Sequence, residues 1–359
     1  MKKRLVWILV YAALTGCNEK NEQATTPAAG SKAYGYLEEL SLGTSGIGAR
    51  PTGTEAETRA ANWIVDKLTG WGYTPQLIPF TYTRKAQQMQ SQNVEVVLPG
   101  QSDEILIIGA HYDSTGVDVG SEGATDNAAS VAAMLATAEA LAGKTLPLTV
   151  RLVFFGAEEN GVNGSKAYAA SLDAETLSRV RGMVNYDTVV GGDIMYLHSA
   201  HSDVNEYSCS DPQKYSYSTQ LRERLQAVGE QMPGVSFSVH PAIPGYPAGE
   251  TGSWSDHGSF ACLGIPIAYL EATNFNINGK NGYDGYSQST HPELWDCFDA
   301  AANSACDRES EQQWGEIWHT GADRLDKLET LFPGRIKQQL NAATDLLIRF
   351  LKQPELTKA

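Results

Sequence analysis

Five short segments of this 359-residue chain end an apolar run with an imidazole or a carboxylate. Ile107-Ile108-Gly109-Ala110 leads into His111, with Asp113 two residues on. Gly123-Ala124-Thr125 leads into Asp126, and Val153-Phe154-Phe155-Gly156-Ala157 into Glu158 and Glu159. Met183-Val184-Asn185-Tyr186 leads into Asp187, and far along the chain Ile317-Trp318 leads into His319. Imidazole and carboxylate are donors that borderline-soft zinc accepts. His111, Asp126, Glu159, Asp187 and His319 suffice for two ions if one carboxylate is shared. Glu158, beside a ligand, is then free to handle a proton.

Taken singly, each segment has a plainer reading. A histidine after a strand is more often a hydrogen-bonded structural residue than a ligand. Asp126 heads an alanine-rich stretch and suits a helix N-cap, and Glu158-Glu159 suits a charged turn. The set becomes specific only if the fold gathers it, and the elements around it predict that. Glu55–Leu68 has apolar residues at helical spacing and stops at Gly70. Val94–Leu98, Ile105–Ile108, Thr149–Phe155, Gly182–Tyr186 and Ile265–Leu270 are apolar runs of strand length. Asn127–Ala142, Ser218–Gln231 and Leu325–Leu351 suit helices, the last broken near Pro333-Gly334. Strands alternating with helices predict an α/β fold: a mixed, largely parallel central sheet with helices on both faces. Ligands of such sheets gather beyond the carboxyl ends of the strands, where these segments end.

Lys2, Lys3 and Arg4 precede an apolar run from Leu5 to Leu14 and then Thr15-Gly16-Cys17. The run is too short to span a bilayer and suits a signal peptide over residues 1–16. A small-residue pair ending in Cys resembles the bacterial lipoprotein signal, which implies lipid on Cys17 and anchoring to a membrane. Residues 17–30 are expected to form a flexible tether, and 31–359 one catalytic domain with a loop insertion at about 271–316. Loss of residues 1–16 removes three of 27 basic side chains and none of the 42 acidic ones, leaving a net charge of −18. So acidic a chain repels phosphate backbones, which excludes nucleic acid as a natural partner. Cys209, Cys262, Cys297 and Cys306 make an even count in an exported chain. The short spacing favours Cys297 with Cys306, leaving Cys209 with Cys262. A free thiol at Cys262, in its apolar setting, is the alternative. G-x-S-x-G and H-E-x-x-H are both missing from the sequence, against a serine hydrolase and a helix-borne zinc protease.

The segments Gly-Ala-His111-Tyr-Asp113-Ser, Gly-Ala-Thr-Asp126-Asn127-Ala-Ala, Gly-Ala-Glu158-Glu159-Asn-Gly, Asn-Tyr-Asp187 and Trp-His319-Thr-Gly-Ala-Asp323-Arg-Leu resemble, in this order, the co-catalytic double-zinc aminopeptidases. Arg50-Pro51-Thr52-Gly53 upstream and Ser255-Asp256-His257 before Gly264-Ile265-Pro266 extend the likeness over roughly residues 45–350. Val190-Gly191-Gly192-Asp193, Glu271-Ala272-Thr273-Asn274, Asp284-Gly285-Tyr286 and Phe332-Pro333-Gly334-Arg335-Ile336 resemble one periplasmic bacterial branch.

The resemblance implies two zinc ions with Asp126 between them, Glu159 and His319 completing one site, and His111 and Asp187 the other. It makes Glu158 the general base and puts Asp113 behind His111, hydrogen-bonded to its second ring nitrogen. It further implies a cis peptide at Asp126–Asn127. The substrates are then peptide or protein N-termini, at the periplasmic or outer surface of a bacterial membrane. Asp256 is either near the site or a plain helix cap. Relatives often carry a tyrosine hydroxyl before Ser-Asp-His; Gly249–Trp254 has none, which leaves Tyr246, Tyr283 or Tyr286 as substitutes. Rival readings are a single-zinc glutaminyl cyclase of the same fold, a carboxypeptidase, and a non-catalytic peptide-binding lipoprotein. Loss of ligands or base would mark the last, and all six residues are present.

Overall fold

The structure, a computed structural model, describes residues 29–279 and 287–353. Cys17, Tyr283 and the segment Asp284-Gly285-Tyr286 lie outside the described residues. In chain order the first elements are α1 (Ala29–Ser41), α2 (Glu55–Gly70), β1 (Gln76–Arg84), β2 (Gln87–Leu98) and β3 (Gly100–His111). A wide turn over Ala124–Ala128 precedes α3 (Ala129–Leu141) and β4 (Leu146–Phe155). Then follow α4 (Asn163–Ser171), α5 (Ala174–Arg179), β5 (Val180–Tyr186), β6 (Ile194–Ala200) and α6 (Gln220–Gly229). The last third holds β7 (Glu250–Thr251), α7 (His257–Ala261), β8 (Ile267–Thr273), a small hairpin of β9 (Phe298–Asp299) and β10 (Ser304–Ala305), α8 (Leu325–Leu331) and α9 (Arg335–Leu351).

Eight strands form one sheet in the order β1-β2-β4-β3-β5-β8-β6-β7. The middle four, β4-β3-β5-β8, run parallel, while β1, β2 and β6 pair antiparallel to their inner neighbours. Side chains alternate between two cores, as the pleat requires. From β3, Leu106, Ile108 and Ala110 enter a core shared with α1, α2, α3 and α9, while Ile105 and Ile107 enter a second with Tyr168 of α4 and Phe260 of α7. The β8 run Ile267–Thr273 is buried throughout and divides the same way: Ala268 and Leu270 to one side, Ile267 and Tyr269 to the other. Because each central strand is covered on both faces, it reads as an unbroken apolar run in the sequence. No described helix is long and apolar enough to cross a membrane.

Several boundaries differ from expectation. Ala29 and Gly30, expected within the tether, belong to α1, whose Ala33, Leu37 and Leu40 pack into the larger core. Residues 271–273, expected within the loop insertion, belong to β8. The helix expected from Asn127 starts at Ala129, because Asp126 and Asn127 have non-helical backbone angles in the preceding turn. The C-terminal helix is broken where expected, at Phe332–Gly334, with Gly334 at φ +79°. Cys209 is joined to Cys262 and Cys297 to Cys306, with Cα separations of 5.1 and 5.5 Å.

Candidate metal centre

His111 ends β3, Glu158 and Glu159 follow β4, and Asp187 follows β5, so three adjacent parallel strands deliver four of the site's side chains to one rim. Asp126 arrives from the turn before α3, whose peptide to Asn127 is cis. The tightness of that turn is enforced at Gly123: φ is +61°, and a Cβ there would come within 2.4 Å of Ser114 Cβ and 2.7 Å of an Arg50 nitrogen. His319 stands apart, on a loop before α8, with its backbone at φ +57°.

Asp126 stands between the two histidines. Its Oδ1 lies 3.2 Å from His111 Nε2 and its Oδ2 3.1 Å from His319 Nε2. Asp187 Oδ1 is 3.4 Å from His111 Nε2, and Glu159 Oε2 is 3.1 Å from His319 Nε2. Two clusters of donor atoms result, His111/Asp126/Asp187 and Asp126/Glu159/His319, each within 4.8 Å internally and both using Asp126. Among the described residues, Glu159 Oε1 and Asp187 Oδ1 are buried without hydrogen-bond partners. Orphaned carboxylate oxygens beside neutral-capable imidazoles are what a cation would satisfy, so the residues present fit a pair of divalent ions.

The region matching the model of peptidase family M28 covers residues 93–344, which contain every one of these side chains. The chain belongs to peptidase family M28. Over 332 residues it is 25% identical to the alkaline phosphatase isozyme conversion protein of Escherichia coli K12, an alignment that covers 86% of each chain. That relative represents the branch the glycine-rich and Glu271-Ala-Thr-Asn segments resemble. In fold the chain is similar to a zinc aminopeptidase from Bacillus subtilis, with a TM-score of 0.63 at 16% identity over 93% of this chain and 97% of that one. It is equally similar to a glutaminyl cyclase from Fimbriiglobus ruber, with a TM-score of 0.63 at 17% identity over 91% and 96%.

Around the candidate ligands of this M28 peptidase, the surrounding contacts are only partly the expected ones. His111 Nδ1 is 3.2 Å from the backbone carbonyl of Asp113 and 3.6 Å from its carboxylate. A carbonyl only accepts, so Nδ1 carries the proton and Nε2 is left facing the carboxylates. The hydrogen bond expected from the Asp113 side chain is therefore made by its main chain. The carboxylate is engaged elsewhere: it accepts from Thr52 Oγ1 at 2.6 Å, Glu158 N at 3.0 Å and Glu159 N at 3.3 Å. Asp187 Oδ2 accepts from Ser255 Oγ at 2.7 Å, a role for the Ser255-Asp256-His257 segment that its sequence marked without specifying.

Asp256 is fully buried with the Ser165 hydroxyl as its nearest hydrogen-bonding neighbour, and at the N-cap position of α7 its side chain makes no capping hydrogen bond among the described residues. Burial, and then the neighbouring Asp187 and Asp113 charges, push its carboxyl up to about 7 against the pull of His111. Glu158, which is partly exposed, is raised well above the ordinary range. Burial is the main cause there and His111 opposes it, while Asp256, Asp187 and Glu159 add to the rise. Asp126 goes the other way: burial opposes ionisation, but hydrogen bonds from His111 and His319 outweigh it and lower its proton affinity.

Two buried groups brace the site without entering it. Arg50, fully buried, donates to the carbonyls of Tyr112, Gly48, Glu122 and Gly123 at 2.8–2.9 Å, tying the end of β3 to the turn before Asp126. Asp323 accepts from Thr125 N at 2.6 Å and from the Thr125 and Ser121 hydroxyls. Tyr246, one of the substitute oxyanion donors, gives its hydroxyl to Glu206 at 3.1 Å. A cavity of about 620 Å³ lies between α2 and the β1–β2 hairpin, and none of the five candidate ligands lines it.

Proposed function

We propose that this M28 metallo-aminopeptidase removes residues from the free N-termini of peptides or proteins. Two zinc ions would be held by His111, Asp126 and Asp187 on one side and by Asp126, Glu159 and His319 on the other. The observation that carries the reading is the division of one carboxylate, Asp126, between the two histidines. The peptidase family, and zinc's acceptance of mixed imidazole and carboxylate ligands, support zinc as the cation. Two bound dications would polarise the scissile carbonyl and acidify the attacking water.

Within the chain, Glu158 takes a proton from that water and gives it to the departing amine, a transfer that contributes about 100- to 10,000-fold. Asp113 is a positioning group: by accepting from the N–H of both Glu158 and Glu159, it makes base and ligand move as one turn. The excess of carboxylates favours a substrate's free ammonium over a free carboxylate, which supports an aminopeptidase against a carboxypeptidase. Likeness of fold does not separate hydrolysis from glutaminyl cyclisation, since both kinds of neighbour superpose equally well. The second cluster supports hydrolysis, because a single-zinc cyclase needs fewer ligands.

Glu158→Gln is expected to bind zinc as the wild type does and to lose about 100- to 10,000-fold of its turnover on an aminoacyl p-nitroanilide. Near-normal hydrolysis by that variant overturns the base assignment. Cleavage of an amino-blocked peptide by the wild type overturns the exopeptidase reading. For localisation, the basic start, apolar run and Cys17 support export with lipid attachment, at the periplasmic or outer surface of a bacterial membrane. The two disulfides suit that oxidising side.

A further inference from the structure

Of the candidate ligands His319 is the one that neither a strand end nor a helix start delivers; Asp323 ties down its loop on the far side, and a single side chain, Gln288, holds the two residues before it. Gln288 is 2% exposed, and its Oε1 accepts from two consecutive main-chain N–H groups, Ile317 at 2.5 Å and Trp318 at 3.3 Å. Those are the two residues before His319. The Gln288 main chain is itself fixed on both sides: its N–H donates to Gly315 O at 2.8 Å, and its carbonyl accepts from Asp193 N at 2.9 Å. Asp193 then gathers the neighbours of Gln288. Its carboxylate accepts from Ser289 Oγ at 2.7 Å, Thr290 N at 2.8 Å and Asn274 Nδ2 at 2.8 Å, and it pairs with Arg335 at 2.8 Å at the start of α9. One turn further along α9, Gln339 clamps Gly191 N and Gly192 O at 2.8 and 2.7 Å. A continuous polar rail therefore runs from α9 through Asp193 and Gln288 to the backbone that carries His319.

We propose that Gln288, braced by Asp193, is a positioning residue that sets the affinity of the Asp126/Glu159/His319 cluster for its metal ion without touching that ion. This rests on the two-metal reading above. A carboxamide oxygen that accepts two adjacent N–H groups fixes both the height and the tilt of the segment that enters His319. The backbone of His319 lies in the left-handed region that a non-glycine residue adopts only where its surroundings enforce it. Removing the acceptor leaves two N–H groups without their partner and lets that backbone relax. In the opposite cluster His111 ends β3, Asp187 follows β5 and the shared Asp126 lies in the turn before α3, and none of the three is hydrogen-bonded to Gln288 or Asp193.

The test is zinc binding by the full-length protein, titrated against a chromophoric chelator, with the melting temperature of the metal-free protein measured alongside. Gln288→Met keeps the length and removes the acceptor. It is expected to weaken one of two zinc sites by about 10- to 100-fold and leave the other unchanged, with activity restored by excess zinc. Gln288→Glu, which keeps an acceptor, is expected to recover most of that affinity. Asp193→Asn is expected to give a smaller loss at the same site, and it carries the test if the Met variant fails to fold. Two wild-type affinities in Gln288→Met, or equal weakening of both sites, overturn the proposal, as does a lowered melting temperature with no change in zinc binding. A wild-type protein that binds fewer than two zinc ions, or a His319→Ala variant that still binds two, instead overturns the two-metal reading beneath it.

Discussion

The two histidines of the centre are held in opposite ways. His111 ends a central strand with its side chain 1% exposed, its Nδ1 on a main-chain carbonyl and its backbone in register with β4. His319 sits on a loop with its side chain 54% exposed and its backbone in the left-handed region. On the first side the sheet ladder does the positioning, and the site is a by-product of a core that would fold anyway. On the second side, hydrogen bonds accepted by the Gln288 and Asp323 side chains do it, with the buried Ile317 as the apolar anchor of the loop. Equal losses of metal at the two positions should therefore come with unequal losses of fold.

Asp126 is shared by both sides, so its removal gives the largest effect. Asp126→Ala is expected to abolish tight binding of both zinc ions and forfeit several kcal/mol of barrier lowering, on the order of a 1,000-fold loss in kcat/KM. The single histidine variants then separate the halves. His111→Ala and His319→Ala should each cost one zinc ion, but only His111→Ala opens a buried hole in which Asp126 and Asp187 face each other unscreened. Its metal-free form should be less stable than that of His319→Ala by about 2 kcal/mol or more, read from denaturant midpoints. Equal midpoints would erase the distinction between the sides.

The next effect is smaller for catalysis and larger for folding. Arg50 satisfies four carbonyls, and its buried charge is balanced by Asp323, Asp113 and Asp126 in turn, although burial pulls its proton affinity down to about 10. Arg50→Met removes the donors and leaves the carbonyls and carboxylates behind. A loss of about 3–5 kcal/mol is expected for the metal-free protein, measured by urea unfolding. If the variant unfolds at the wild-type midpoint, the strand-end half is held by the ladder alone.

The same contrast explains what could be read in the sequence. β3, β4, β5 and β8 were legible because burial on both faces makes each a nearly continuous apolar run, and the candidate site residues His111, Glu158, Glu159 and Asp187 follow such runs directly. β1 was not legible: it is an edge strand, mostly exposed, with Pro79 inside it, so neither composition nor periodicity marks it. β6 holds a buried His198 paired with Glu271 at 2.8 Å, a polar pair no apolar pattern announces. α1 contains Gly30 and Gly35, which weaken a helical signal that packing restores. In the site, the type and order of the candidate ligands were visible, but their supports were not. Gln288 and Asp193 lie in stretches without period, and a side chain that accepts from a backbone N–H leaves no mark at a fixed spacing. Asp113 was picked out by its place beside His111, while its carboxylate spans to the β4 turn instead.

The smallest expected effect tests how rigidly the strand-end half is backed. Glu57, in the first turn of α2, accepts from Gly53 N at 2.5 Å, Ser91 Oγ at 2.5 Å and Ala157 N at 3.2 Å, so it holds the residue just before Glu158. Burial, and then the charge of Asp113, push its carboxyl up to about 7, although these three donors favour the ionised form. A carboxyl raised in the folded state works against folding once the unfolded chain ionises. Below its ordinary value, about 4.5, Glu57 is neutral in both states and costs nothing. Between there and pH 7 folding takes up a proton, so stability falls as pH rises, by roughly 3 kcal/mol at most, and then levels off. Glu57→Gln cannot ionise and has one acceptor oxygen instead of two, so it should start less stable at pH 4.5 and close the gap by pH 8. Urea midpoints of both metal-free proteins across that window decide the matter. A constant difference at every pH would mean that Glu57 keeps its charge throughout and braces the catalytic turn as a carboxylate.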